Sequence, residues 1–327
     1  MNSNNKSILV IGGAGYIGSH VVLELCEQGY DVTVFDNLST GYRKNVDLRA
    51  EFIRGDIQDQ NELCNIFNKD YIGVFHFAAL KAAGESMLEP EKYATTNIIG
   101  TINILNRMVK NKIEHFIFSS TAAVYGMPEY IPIDEKHPLQ PINFYGFTKL
   151  EIERILQWYS ELKGICFVAL RYFNAAGYDM QGRIDGLEQN PANLLPIIME
   201  TVSGKRDMMN IYGNNYKTPD GTGIRDYIHV SDLATAHVKA LSAIIKKKKN
   251  LIINLATGKG YSVLEVIQYT EEITGRKVNF NIVDRRPGDC AELTAVSKLA
   301  NDLIEWECKY SDIKIILQSM WDIYSKE

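Results

Sequence analysis

The sequence predicts an α/β chain: a doubly wound parallel sheet with a smaller C-terminal α/β lobe. Three observations carry this. Short β-rich apolar runs alternate with longer helical patterns through the first half, and a glycine-rich turn joins the first strand to the first helix. After Asn174 the alternation gives way to tracts dense in Gly, Asn, Asp and Pro. With 327 residues, 46% of them apolar, the chain can bury one large core or two smaller ones.

In order, "SILVIG" is the first strand, and a helix follows from about Ile17. "DVTVFD", "EFI", "GVFHFAA", "HFIFSS" and "CFVALRYF" supply the next five strands. The tracts "GYDMQGRIDGLEQNPANLLP" and "YGNNYKTPDGTGIRDYIH" read as loops. "NLLPIIMETVSG", "SDLATAHVKALSAIIK" and "SVLEVIQYTEEITG" read as helices, the lysine run Lys246 to Lys249 being a solvated helix end. The expected division is a nucleotide-binding domain over residues 1–174 and a lobe over residues 175–327, interleaved with the last strands and helices of the first domain.

Composition narrows the partners. A net charge of −5 with acids and bases interspersed leaves no basic field for nucleic acid. No apolar run approaches the roughly 20 residues of a membrane span, and the polar start "MNSNNKS" lacks a signal-peptide apolar region, so the expected location is the cytoplasm. Cys26, Cys64, Cys166, Cys290 and Cys308 are scattered, with neither paired nor metal-ligand spacing; reduced thiols and no metal site are expected.

"LVIGGAGYIGSH" sets Gly12, Gly15 and Gly18 between the first strand and the first helix. Glycines there permit a tight turn and close approach of backbone to a pyrophosphate seated on the helix N-terminus, the Rossmann arrangement. Asp36 ends the second strand about 20 residues on, where its carboxylate accepts both hydroxyls of an adenosine ribose. Its charge repels a 2′-phosphate, so NAD is expected over NADP. Asp56 follows the third strand, where it either faces the cofactor or caps the helix starting near Asp59; Ala78 and Ala79 after the fourth strand let a cofactor lie close to the backbone.

The stretch "NFYGFTKLEIE" places Tyr145 and Lys149 four residues apart, on one face of a helix. Ser119, Ser120 and Thr121 lie one helix upstream, at the edge of the fifth strand. A free phenol titrates near 10, so bringing it near 7 takes roughly 4 kcal/mol. An ammonium at 4 Å in an effective dielectric of 20 is worth about that much, and an oxidised nicotinamide adds in the same direction. The expectation is that Lys149 keeps Tyr145 partly deprotonated while Thr121 bonds the substrate hydroxyl.

With these residues in place the chain resembles the extended short-chain dehydrogenase/reductase family, and within it the enzymes that epimerise UDP-hexoses. "GGAGYIGSH", "FDNLSTG", "HFAALKAAGES", "FSSTAAVYG", "LRYFNAAG", "DGTGIRDYIHV" and "RRPGD" carry the resemblance along essentially the whole length. Thr121 stands where many members have Ser and keeps the hydroxyl. The resemblance implies reversible epimerisation at C4 of UDP-glucose and UDP-galactose, with UDP-GlcNAc and UDP-GalNAc as further candidates, through transient NAD-dependent oxidation to a 4-keto sugar. It implies cofactor contacts from Tyr16, Ile17, Asn37, Ile57, Lys81, Asn97, Ser119, Tyr172 and Phe173, the last two equally open to core packing. It places the sugar near Lys81, Thr121, Tyr145 and Asn174, and the nucleotide diphosphate among Asn193, Leu194, Arg225, Tyr227, Arg286 and Asp289. The two arginines offer planar forks suited to phosphate; the alternative is pairing with Asp226 or Asp289. Leu293 borders the sugar's 2-position by the same resemblance, or simply packs against its neighbours. Related enzymes also imply a homodimer through long helices, here Tyr93 to Lys110 and Tyr145 to Leu162.

Other readings are a dehydratase, a UDP-glucuronate epimerase, a reductase that releases its cofactor each turnover, and a non-catalytic NAD-binding sensor. Ala122 and Ala123 after Thr121 replace the acidic pair that dehydratases carry there, and a sensor has no need of the complete Thr121, Tyr145 and Lys149 set.

Overall fold

The computed structural model describes residues 6–188, 191–286 and 288–326. Residues 1–5 of the polar start, positions 189–190 inside the first loop tract, 287 within "RRPGD" and 327 lie outside the described residues. The chain opens with β1 (Ser7–Ile11), α1 (Tyr16–Glu27), β2 (Asp31–Asp36), β3 (Glu51–Arg54), α2 (Gln60–Ile66) and β4 (Gly73–His76). Two single-turn helices, α3 (Ala83–Ser86) and α4 (Pro90–Tyr93), lead into a π-helical stretch over Ala94–Ile99 and then α5 (Gly100–Asn111). The long helix expected from Tyr93 runs on without a break, widened to π geometry over Ala94–Ile99, where Asn97 points inward to hold Leu80 and Thr148. β5 (His115–Ser119), α6 (Phe144–Lys163) and β6 (Cys166–Tyr172) follow.

The second half supplies β7 (Asn174–Ala176), α7 (Leu194–Ser203), β8 (Met209–Tyr212), β9 (Ile224–His229), α8 (Val230–Lys247) and β10 (Leu251–Leu255). It ends with β11 (Gly260–Ser262), α9 (Val263–Thr274), β12 (Phe280–Val283), β13 (Glu292–Leu293), α10 (Lys298–Ile304) and α11 (Ile313–Tyr324).

Seven parallel strands in the order β10-β6-β5-β4-β1-β2-β3 form the main sheet. Strand direction of travel reverses between β1 and β4, and this switch point opens the crevice in which ligands of such sheets bind. Because β1 is covered on both sides, it is apolar after Ser7: Ile8 and Val10 enter the core with α1 and α8, Leu9 and Ile11 the core with α2, α5 and α6. The lysine run closes α8, with Lys248 in the left-handed region at φ 50°. No helix among the described residues is long and apolar enough to cross a membrane.

The tract ending in "GIRDYIH", expected as loop, contains β9, the hub of the smaller sheet that β7, β11 and β13 join. Charges at Arg225 and Asp226 hide the strand signal. Asp226 is fully buried, and it pays its desolvation by accepting bonds from Thr257 N, Thr257 Oγ1 and Gly258 N. The third core, of Tyr178, Leu195, Ile198, Met199, Tyr227 and residues of α9 and α11, lies in this lobe.

Candidate active site

The turn after β1 has the shape that a pyrophosphate requires. Gly12 lies at φ +81°, and a Cβ there would stand 2.3 Å from Ala78 N. A Cβ on Gly18 would stand 2.2 Å from Gly12 O, so both close approaches need glycine. The N-cap of α1 is Gly15, without a side chain to occupy the first-turn N–H groups. Backbone donors, a glycine cradle and a helix N-terminus together fit a dinucleotide. Asp36 is 8% exposed; its Oδ2 accepts from Ala14 N at 2.9 Å and its Oδ1 from Leu38 N at 2.8 Å. The carboxylate therefore braces the glycine turn while each oxygen keeps a further lone pair. Burial raises Asp36 from its ordinary range, and these two bonds act against the rise.

Asp56 does not cap α2: Asp59 does, accepting from Asn61 N and Glu62 N, while Asp56 accepts from Gln58 N and from Asn37 Nδ2 at 2.9 Å. Ile57 is buried against Gly100. Ala78 N donates to Ile11 O, and Ala79 is half-buried at the same edge. Tyr16 turns its hydroxyl to Gly177 O at 2.5 Å, joining α1 to the second lobe, and Ile17 packs against the core beneath. Lys81 extends into solvent and pairs with Glu188 at 2.5 Å.

At the sheet edge, α6 begins with Asn143 Oδ1 capping Gly146 N at 2.8 Å, and Tyr145 N donates to Ser86 Oγ at 3.0 Å. A Cβ on Gly146 would meet Ala123 O at 2.5 Å, so glycine here lets the helix close on the segment carrying Thr121. The Thr121 hydroxyl, whose oxygen accepts from Ala123 N at 3.2 Å, faces the Tyr145 phenol closely enough to act on its titration. Lys149 is 3% exposed; its Nζ donates to Ser119 O at 2.9 Å and stands 4.8 Å from the Phe118 ring centroid and 6.0 Å from that of Tyr145. Ser119 Oγ bonds the Tyr172 hydroxyl; Tyr172 is in the core, and Phe173 and Leu293 each pack against the cluster that contains Ala122, Val124 and Tyr125.

The electrostatics differ from the sequence expectation. Burial pushes the Tyr145 phenol up to about 12, opposed by the neighbouring Thr121 hydroxyl, and lowers the Lys149 ammonium to about 7, opposed by Glu153. Lys149 alone does not bring the phenol near neutrality, because the enclosure that brings the two together also desolvates both.

On the second lobe, Asp289 lies between two arginines: Arg286 Nε donates to Oδ2 at 3.0 Å, and Arg225 Nη2 is 3.8 Å from Oδ1. Arg286 stacks 4.4 Å over the Tyr212 ring. Two guanidinium groups share one carboxylate, which leaves a net positive charge there. Asn174 donates to Asp226 O, Asn193 starts α7 exposed and without a capping bond, and Leu194 is half-buried. Tyr227 is buried in the lobe's core, which raises its phenol by desolvation. Leu293 pairs in register with Arg225.

Sequence reasoning placed Ser120 at this edge without giving it a role and missed Ser86, Tyr125, Glu153 and Arg171 around it. A signal existed for two of them: Glu153 continues the four-residue spacing of Tyr145 and Lys149, and Arg171 is a charge inside an apolar strand, which demands a partner.

Comparison with known proteins agrees with this arrangement. The profile of the NAD dependent epimerase/dehydratase family matches residues 8–256. A UDP-glucose 4-epimerase of Lacticaseibacillus casei is 43% identical over 317 residues, covering 97% of this chain and 96% of its own. The crystal structure of UDP-glucose 4-epimerase from Brucella ovis in complex with NAD superposes with a TM-score of 0.95 at 41% identity, 98% of each chain being covered. The UDP-Glc/GlcNAc 4-epimerase of Campylobacter jejuni superposes with a TM-score of 0.86 at 34% identity, covering 98% of this chain and 99% of its own. The matched span runs unbroken from the glycine turn through the Tyr145–Lys149 helix to the edge strand β10, and the chain belongs to the NAD dependent epimerase/dehydratase family.

Proposed function

We propose that the protein interconverts UDP-glucose and UDP-galactose by inverting the sugar's C4, with NAD held in the switch-point crevice. The observation that carries this reading is the convergence of the Thr121 hydroxyl and the Tyr145 phenol at the edge of the sheet whose glycine turn fits a dinucleotide. Gly12, Gly15 and Gly18 receive the pyrophosphate, Asp36 the adenosine ribose, and the Arg225–Asp289–Arg286 group the sugar's diphosphate. NAD, when bound, supplies reversible two-electron oxidation at C4. Tyr145 Oη takes the proton from the 4-hydroxyl and gives it back after the sugar has turned, while Thr121 aligns that hydroxyl. Lys149, fixed on Ser119 O, contributes part of the positive charge that a buried phenol needs to act as a base. Ala122 and Ala123 offer no acid or base for expelling water, which separates this reading from dehydration.

The small side chain at Leu293 and the likeness to a UDP-Glc/GlcNAc 4-epimerase support extension to N-acetylated UDP-sugars. The protein works as a homodimer in this reading, pairing through the face of α6 and the π-helical stretch before α5, where Ile99, Phe147, Trp158 and Leu162 stand exposed. Its five free cysteines suit the cytoplasm.

The test is to incubate purified protein separately with UDP-galactose, UDP-N-acetylgalactosamine and UDP-glucuronate, to identify each product, and to assay NAD retained after gel filtration. UDP-glucose from UDP-galactose, with NAD retained, is expected. Recovery of a dehydrated product, or of unchanged UDP-galactose, would sink the reading.

A further inference from the structure

Of three consecutive residues at the end of β5, two are hydrogen-bonded by successive turns of α6 and the third, Thr121, faces the Tyr145 phenol. Lys149 Nζ donates to Ser119 O, Ser120 Oγ donates to Glu153 Oε1 at 2.5 Å, and the Thr121 hydroxyl meets the Tyr145 phenol. Glu153 is 2% exposed, and Arg171 of β6 holds its carboxylate with two bonds: Nε to Oε1 at 3.0 Å and Nη2 to Oε2 at 2.5 Å. Arg171 also donates from Nη1 to the Tyr125 hydroxyl at 3.1 Å and lies 5.0 Å over that ring. The Tyr125 hydroxyl in turn donates to Asn254 Oδ1 in β10 at 2.6 Å. One ion pair thus holds both ends of the six-residue segment, 120–125, in which Thr121 stands.

A fully enclosed ion pair is a poor device for stability alone, because desolvation offsets most of the attraction and apolar side chains of similar volume often serve as well. The surroundings would accept such side chains: Val124, Leu150 and Ile133 pack beside Tyr125. What an apolar replacement lacks is direction, since only hydrogen bonds fix the segment along the helix axis as well as against it.

We propose that Glu153 and Arg171 are positioning residues for the epimerisation, setting where the Thr121 hydroxyl stands relative to the Tyr145 phenol by clamping the Ser120–Tyr125 segment to the helix that carries the phenol. The proposal rests on the epimerase reading above. A misplacement of about 1 Å at such a site costs up to about 100-fold in rate. The pair also acts on Lys149. The groups facing that ammonium are Tyr145 and Glu153 from its own helix, His76 from β4 and the Phe118 ring from β5, with Arg171 behind Glu153 on β6. His76 is held neutral by burial, so Glu153 is the carboxylate that favours the charged lysine. Removing its charge lowers Lys149 further, and activity that needs the ammonium is then lost at a lower pH.

The experiment is steady-state epimerisation of UDP-galactose across pH by the wild type, Glu153→Gln and Ser120→Ala, with circular dichroism and retained NAD as controls. Glu153→Gln keeps the shape without the charge; kcat should fall about 30-fold, KM should change less than about threefold, and the alkaline limb should move to lower pH. Ser120→Ala leaves the ion pair whole and removes only its grip; kcat should fall about fivefold with the limb in place. An active wild type with kcat unchanged in both variants overturns the positioning role and spares the epimerase reading. A fall in Glu153→Gln without movement of the limb also overturns it, being what a merely structural residue would give. Should Glu153→Gln fail to fold, Ser120→Ala decides alone, and wild-type kcat in that variant overturns the proposal. An inactive wild type sinks the epimerase reading and the proposal with it.

Discussion

Lys149 directs its ammonium at the carbonyl oxygen of Ser119, 2.9 Å away, although Tyr145 stands one helical turn distant on the same face. The lysine therefore ties α6 to the edge of β5 as well as adding charge. Because that carbonyl belongs to the strand end that leads into Thr121, the ammonium and the hydroxyl are placed by a single local arrangement.

Tyr145→Phe removes the oxygen proposed to exchange a proton with the sugar and leaves the ring, whose packing the fold uses. Epimerisation should fall by at least about 100-fold, within the range that general acid-base groups supply. Far-ultraviolet circular dichroism and retained NAD should match the wild type. A variant that turns over at the wild-type rate means that another group moves the proton.

Gly12 and Gly15 should respond differently to alanine. At Gly15, with φ −73° and ψ 170°, an added Cβ meets nothing nearer than Gly12 O at 3.4 Å, so the fold itself does not need glycine there. Gly15→Ala should keep the wild-type melting temperature and bind NAD at least about tenfold more weakly, a loss near 1.4 kcal/mol. Gly12→Ala should lower the melting temperature as well, since its Cβ would overlap Ala78 N. Calorimetric titration with NAD and thermal melts of both variants check this; undiminished affinity in Gly15→Ala removes it from the cradle.

Leu293 is half-buried and packs, like Phe173, against the cluster that contains Ala122, Val124 and Tyr125. Leu293→Tyr should slow UDP-N-acetylgalactosamine by about tenfold relative to UDP-galactose, since pockets separate ligands of such different size by about 1–3 kcal/mol. Equal slowing of both substrates, or rejection of the acetamido sugar by the wild type, shows that Leu293 is not the gate.

Four buried histidines set the acid side of stability. Burial lowers His20 and His237 to about 4 and His76 and His229 to about 3, from 6.5. Below 6.5 the unfolded chain takes up protons that the folded chain refuses. Stability is therefore fully present above 6.5 and falls with pH down to about 3, by up to about 1.4 kcal/mol per pH unit for each histidine. His237 Nε2 has no hydrogen-bond partner among the described residues, and the ring packs against Phe77 and Tyr172. His237→Phe should flatten the decline in thermal midpoint between neutral and mildly acid pH; identical slopes would refute a protonation origin at this residue.

Much of the main sheet was legible because its signals are local. A strand covered on both faces must be continuously apolar, and a glycine turn between strand and helix leaves its mark in a dozen residues, as do the four-residue spacing of Tyr145 and Lys149 and the carboxylate at the end of β2. The hub strand β9 was not legible, since Arg225 and Asp226 break its pattern and their partners, Asp289 and the Thr257–Gly258 backbone, lie tens of residues away. The π turn before α5 was hidden for a similar reason: Asn97 looks like any helix residue until Leu80 and Thr148 are beside it.

The sequence by itself determined the α/β alternation, the glycine turn, Asp36 and the set of Thr121, Tyr145 and Lys149, because each depends on residues close together in the chain. Only the tertiary structure decided what those groups experience. Burial raises the phenol and lowers the ammonium, Lys149 turns to Ser119, and the Glu153–Arg171 pair closes behind Thr121, since desolvation and ion pairing depend on which distant segments enclose a group.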